Sequence, residues 1–161
     1  ALSVTKKGKI GVIGTKATIR SGAYSDMLEH LSDKPIDISE KPCPLFVPLV
    51  EELMLNNDIA RLTVKEYLQP LIDEDIDTLI LGCTHYPLLK PLIHEIYPFI
   101  EIVDSSIAVL KQIEQEGLLK GGSGLRELYV TDESPAFEKL KNELSTASKS
   151  KKITLSQRSP V

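Results

Sequence analysis

Two periods of hydrophobic spacing alternate along the chain. Lys9 to Ile13 is a short apolar run closed by Gly14, and it predicts a buried strand followed by a tight turn. Ile19, Ala23 and Met27, flanked by Tyr24, Leu28 and Leu31, recur at helical spacing and predict one amphipathic helix from about Thr18 to Leu31. A polar, proline-containing connection over Asp33–Lys41 carries a short strand at Ile36–Ile38. Cys43 to Val50 is apolar but interrupted by Pro44 and Pro48, and preceded by Pro42, which predicts a rigid loop entering a helix near Pro48. Asn56-Asn57-Asp58 offers helix caps, and Val64, Tyr67, Leu68, Leu71 and Ile72 form the stripe of the following helix. Pro70 inside that stripe predicts a kink or an early end.

Asp77 to Gly82 is the strongest strand pattern, near-continuously apolar as a central parallel strand covered on both faces would be. Leu88, Leu89, Leu92, Ile93 and Ile96 predict a helix, Ile100–Val103 a strand, and Ile107, Leu110 and Ile113 another helix, capped by Asp104-Ser105-Ser106 and stopped by Gly117. Beyond it, Gly121–Gly124 reads as a flexible loop and Leu125–Val130 as a strand. Asp132–Pro135 reads as the start of a helix carrying Phe137, Leu140 and Leu144, and Ser145–Lys152 as a solvated linker. Alternating strands and helices predict an α/β fold with a mainly parallel sheet, whose ligands bind at the carboxyl ends of its strands. The positions to examine are therefore Gly14–Thr18, Cys83–His85 and Asp104–Ser106.

Composition narrows the function classes. With 19 Lys+Arg against 23 Asp+Glu the net charge is -4, so there is no basic excess of the kind that draws nucleic acid. No apolar run is long enough for a transmembrane span, and the N-terminal residues lack the apolar core of a signal peptide. The two cysteines, Cys43 and Cys83, exclude a disulfide-rich fold and leave no Cys-based zinc module. A metal site on Cys83, His85 and Asp104 is not expected, because structural zinc sites normally need four ligands. The chain starts at Ala1 without an initiator Met, which points to a processed product or a fragment.

Cys83 follows a buried strand and precedes a helix, where the local positive potential favours thiolate, and His85 two residues later could exchange a proton with it or hold charge near it. A small buried hydrophobe is the other reading of Cys83. Thr15, Thr18 and Ser21 surround a helix start and suit either an anion site or ordinary capping. Glu51 and Glu52 end the proline-rich loop, where one carboxylate could face the strand-end cleft or both could lie on the surface.

The run Leu81-Gly82-Cys83-Thr84-His85-Tyr86-Pro87-Leu88-Leu89 strongly resembles a signature of the aspartate/glutamate racemase superfamily, and within it of the glutamate racemases. Ile10–Ile19 with Ser21 and Tyr24, and Cys43–Glu51, resemble two further family segments, in the family's order. The resemblance implies a cofactor-independent, cytoplasmic bacterial isomerase that inverts the α-carbon of glutamate and supplies D-glutamate for peptidoglycan. It implies two opposed cysteines, one removing the α-proton while the other protonates the opposite face. Carried over residue by residue, it makes Cys83 one of the two thiols, His85 its assistant, Glu51 a carboxylate near that histidine, and Thr84, Thr15 and Thr18 substrate-binding. The partner is glutamate as a small-molecule substrate, and a homodimer is implied, with neither nucleic acid nor membrane.

The family's first lobe carries an Asp-Ser-Gly segment and a first cysteine followed by Asn-Thr, and neither occurs here. The expectation is an α/β, parallel-sheet, racemase-like lobe over residues 1–104. A C-terminal segment, 105–161, would return to the other, mostly missing lobe, leaving half a site and an inactive isolated chain. Aspartate racemase is the alternative within the superfamily. A Cys-His hydrolase, which would pass through an acylated Cys83, and a non-catalytic α/β interaction module are the alternatives of other classes.

Overall fold

The computed structural model describes residues 1–118, 121, 127–130, 138–139, 141–142 and 149–152. The chain divides into two compact units, Ala1–Leu118 and Leu119–Val161. The first unit is built on four strands: β1 (Lys9–Gly14), β2 (Asp37–Pro42), β3 (Thr78–Leu81) and β4 (Glu101–Asp104). They pair in the order β2-β1-β3-β4, every pair parallel. Side chains alternate across the sheet as strand geometry requires. Ile13, Leu79 and Leu81 enter one cluster with Phe46, Val50, Val64 and Leu89, while Ile10, Val12 and Ile80 enter another with Leu28. Both faces are thus covered, the condition under which β3 reads as a continuous apolar run.

Six helices connect and follow these strands: α1 (Lys16–Arg20), α2 (Ala23–Leu31), α3 (Phe46–Glu51), α4 (Asp58–Asp73), α5 (Lys90–Ile96) and α6 (Ser105–Gln115). A 3₁₀ turn, Tyr86–Leu89, runs directly into α5. The single helix expected from Thr18 to Leu31 is two, because Gly22 takes a left-handed φ of 66° between them. The helix expected near Pro48 already begins at Phe46, which leaves Pro48 in the first turn, where its missing N–H is not needed.

Nor does Pro70 end α4, which runs on to Asp73. Its stop is a Schellman motif. Asp75 sits at φ 63°, its N–H donates to the Ile72 carbonyl, and the Ile76 N–H reaches back to the Leu71 carbonyl. At the far end Asn57 caps the helix by accepting the Ala60 N–H at 2.9 Å.

The second unit contains β5 (Glu127–Val130) and β6 (Lys149–Lys152), paired in parallel. The strand expected over Leu125–Val130 is present at Glu127–Val130, whereas the linker expected over Ser145–Lys152 contains β6. Backbone pairing needs no apolar side chain, so a lysine-rich strand escapes a reading based on hydrophobic runs. The loop over 122–124, the helix start at Asp132–Pro135 and the positions Phe137, Leu140 and Leu144 lie outside the described residues.

At the amino ends of the strands, Asp77 holds the N-terminal segment. It accepts from Thr5 Oγ1 at 2.6 Å and from the Lys6 and Lys7 N–H groups at 2.6 and 2.7 Å. Partial burial pushes its pKa up, but these bonds and one from Thr78 outweigh it, and the carboxyl ends below its ordinary value. A carboxyl depressed on folding stabilises the fold above its unfolded pKa and loses that contribution as the pH falls through its folded one. Urea midpoints should therefore fall on acidification below about pH 4. Asp77→Asn should be less stable than the parent at neutral pH by about 1 kcal/mol or more and should flatten that acid limb. An acid limb unchanged in Asp77→Asn would remove Asp77 from the account.

Candidate active site

From β1 the chain turns one way to β2 and later crosses to β3 on the other side. The loops after β1 and β3 therefore diverge, opening the crevice in which parallel α/β sheets bind ligands. Ile13 and Leu81 are register partners, and the Gly82 N–H donates to the Ile13 carbonyl at 2.7 Å. A Cβ at Gly82 would lie 2.9 Å from that oxygen and 3.0 Å from the Tyr24 ring, so glycine is what lets β3 leave the sheet pressed against β1. The Cys43 N–H is likewise tied to the Gly14 carbonyl at 2.9 Å. Thr15, Cys43 and Cys83 thus emerge side by side from three neighbouring strands.

Cys83 is half-buried, with Sγ 3.9 Å from His85 Nδ1. His85 Nε2 lies 3.6 Å from Glu51 Oε1, whose side chain is 57% exposed. A ring whose Nε2–H points at Glu51 presents the Nδ1 lone pair to the thiol, so the line Cys83–His85–Glu51 can accept a proton at sulfur's side and hold the resulting charge. Glu51 ends α3, and the turn beyond it is closed by Leu53 at φ 55°, a left-handed conformation that costs a residue with a side chain about 1–2 kcal/mol.

What brings α3 to His85 is Tyr86. Its hydroxyl, buried, donates to the Cys43 carbonyl at 2.8 Å, and its ring meets Phe46 edge-on at 5.2 Å between centroids. Burial pushes the Tyr86 pKa up, so the hydroxyl stays a donor. The hydrophobic pattern alone does not single out Tyr86, because its role lies in a contact across 43 positions of sequence.

Thr15 caps α1, accepting the Thr18 N–H at 3.1 Å, and its Oγ1 lies 2.9 Å from Thr18 Oγ1. Capping and a paired-hydroxyl surface therefore coexist there. Thr84 is exposed on the turn between Cys83 and His85. Cys43 is a different kind of cysteine: it is fully buried, its thiol donates to the Lys41 carbonyl at 3.6 Å, and burial pushes its pKa up to about 12. At the end of β4, Asp104 is 4% exposed; it caps α6 by accepting the Ile107 N–H at 3.0 Å and pairs with Lys90 Nζ at 3.2 Å. Among the described residues no group of three or more His, Cys, Asp and Glu side chains is arranged to hold a metal ion, and no helix is long and apolar enough to cross a membrane.

A half-buried thiol thus stands beside an imidazole and a carboxylate at the strand-end crevice of a parallel α/β lobe. The Asp/Glu/Hydantoin racemase family profile matches residues 1–113, and the chain belongs to that family. A glutamate racemase of Sulfurihydrogenibium sp. (strain YO3AOP1) is 54% identical over 156 residues, covering 97% of this chain and 60% of the relative. One of Persephonella marina is 54% identical over 142 residues, covering 88% of this chain and 54% of the relative. Among solved structures, a Bacillus anthracis glutamate racemase isoform superposes with TM-score 0.81 at 34% identity, covering 96% of this chain and 60% of that one. Francisella tularensis glutamate racemase, solved in complex with D-glutamate, superposes with TM-score 0.79 at 31% identity, covering 98% and 62%. The chain thus spans between 54% and 62% of the length of these relatives.

The two thiols should behave differently toward a water-soluble alkylating agent. Iodoacetamide is expected to modify Cys83 in the folded chain and to reach Cys43 only after denaturation, read by peptide mass spectrometry. Equal labelling of both in the native state would contradict the burial described.

Proposed function

We propose that this chain forms one face of a glutamate racemase site, with Cys83 as one of two proton-transferring thiols. The observation that carries the reading is the Cys83–His85–Glu51 line at the β1/β3 crevice; the glutamate racemases that the chain resembles over most of its length support the substrate. In one direction the Cys83 thiolate takes the α-proton of glutamate, the Cα–H electron pair staying on carbon beside the carboxylate, and a thiol on the opposite face returns a proton there. In the other direction the roles exchange. Inversion demands an acid and a base on opposite sides, which one side chain cannot supply. Cys43, buried and with its pKa raised, does not fit the second role. The opposing thiol therefore comes from the family's first lobe.

His85 accepts and returns the Cys83 proton, Glu51 orients His85, and Thr84, Thr15 and Thr18 offer hydroxyls to the substrate's carboxylates and amine. Residues 105–161 belong with the family's first lobe, a reading supported by the exposure of Ile107, Val109 and Leu110 on α6. No organic cofactor takes part. The product, D-glutamate, feeds peptidoglycan in the cytoplasm, and pairing with a second copy of the protein is part of the reading.

Two measurements on the complete two-lobed enzyme test this. Cys83→Ala should abolish exchange of the glutamate α-proton in deuterated water, with a loss of at least about 10²–10⁴-fold. Cys43→Ala should retain turnover, and the isolated 161-residue chain should show none. Exchange near the parent rate in Cys83→Ala would sink the assignment. In a double-mutant cycle, Glu51→Gln and His85→Asn should be non-additive in kcat. Strict additivity would mean that the two side chains do not act together.

A further inference from the structure

The segment that carries Cys83 and His85 leaves β3 at Leu81 and, through the 3₁₀ turn Tyr86–Leu89, enters α5 at Lys90. Both ends meet one residue. Asp104 is the register partner of Leu81 across the β3–β4 ladder, and its carboxylate accepts from Lys90 Nζ at 3.2 Å. The same carboxylate accepts from Ser106 Oγ at 2.6 Å and from the Ile107 N–H at 3.0 Å, which fixes it as the cap of α6. Asp104 is almost fully buried, while Lys90 keeps 40% of its side chain in solvent. A buried carboxylate held by three donors has one geometry, so it is a fixed post rather than a mobile surface charge.

The geometry points to Lys90 as a positioning residue: its ion pair with Asp104 closes the excursion Gly82–Leu89 like a clasp and holds Cys83 and His85 in register with Glu51. This rests on the racemase reading for its effect on turnover, but the clasp itself is a statement about Cys83. Cys83 Sγ and His85 Nδ1 are already 3.9 Å apart, near the limit at which a thiol and an imidazole exchange a proton directly. A small outward drift of the loop would break that contact. Two hydrogen-bond tethers, the Gly82 N–H on Ile13 and the Tyr86 hydroxyl on Cys43, restrain the loop toward β1 and β2. Lys90–Asp104 supplies the restraint on the β4 side.

The test uses the complete two-lobed enzyme carrying Lys90→Met and Lys90→Arg, with Lys90→Gln as a second neutral variant should Lys90→Met fail to fold. The readouts are the rate of iodoacetamide alkylation at Cys83 near neutral pH, followed by peptide mass spectrometry, and kcat and KM in both directions. The neutral variant should alkylate Cys83 about fivefold or more slowly and lose about tenfold in kcat, with KM changed less than about threefold, and Lys90→Arg should recover most of both. An unchanged or faster alkylation of Cys83 in the neutral variant, whatever the turnover, overturns the clasp. Alkylation needs no glutamate, so a parent enzyme without α-proton exchange would refute the racemase reading and still leave the clasp decided by the labelling rates.

Discussion

The buried hydrogen bond from the Tyr86 hydroxyl to the Cys43 carbonyl is the contact on which the site's arrangement depends. It joins the loop after β3 to the loop after β2, across the intervening strand β1. Phe46 sits at its centre, edge-on to Tyr86 and, at 5.3 Å, to Tyr67 of α4. Those rings fix where α3 lies, and α3 ends in Glu51. The ion-pair distance between Glu51 and His85 is therefore a by-product of aromatic packing and one hydroxyl. An exposed carboxylate and a half-exposed imidazole would not hold that geometry by their own attraction in water.

Much of the fold is legible in the residues because its determinants are local. β3 shows as an unbroken apolar run, since neighbours cover it on both faces. Asp104 and Gly117 mark the two ends of α6 by side-chain capping and by a left-handed φ. What escapes has a physical cause in each case. The stripe Ile19–Ala23–Met27 keeps its phase through Gly22, so the break between α1 and α2 is invisible to periodicity. β6 is lysine-rich and pairs through its backbone, and Pro70 lies so near the true end of α4 that its effect on the helix is small.

The candidate site divides the same way. Cys83 and His85 stand two residues apart after a strand, so their association can be read directly. Glu51 is linked to them by no periodicity, and only the resemblance of its segment to a family motif points to it before the fold is known. Asp104 reads as a helix cap, but its meeting with Lys90 carries no sequence signal, since it depends on the β3–β4 register. Cys43 shows the converse hazard. By residue type it equals Cys83, and its complete burial against the half-burial of Cys83 is what sets the two thiols apart in the fold.

The strand order has a further consequence for how the chain reaches this state. Ile10 of β1 pairs with Ile38 on one side and with Thr78 on the other, so the central strand waits for a partner encoded far downstream. Closing so long a loop costs entropy before any ladder bond returns it, which makes β1–β3 docking a slow step for a fold of this size. During synthesis, β1, α2 and β2 leave the ribosome with one edge of β1 unpaired. That edge is glycine-containing and apolar, the kind of surface that recruits stray strands. The order of the strands thus makes the nascent chain most vulnerable to misassociation in the interval before β3 emerges.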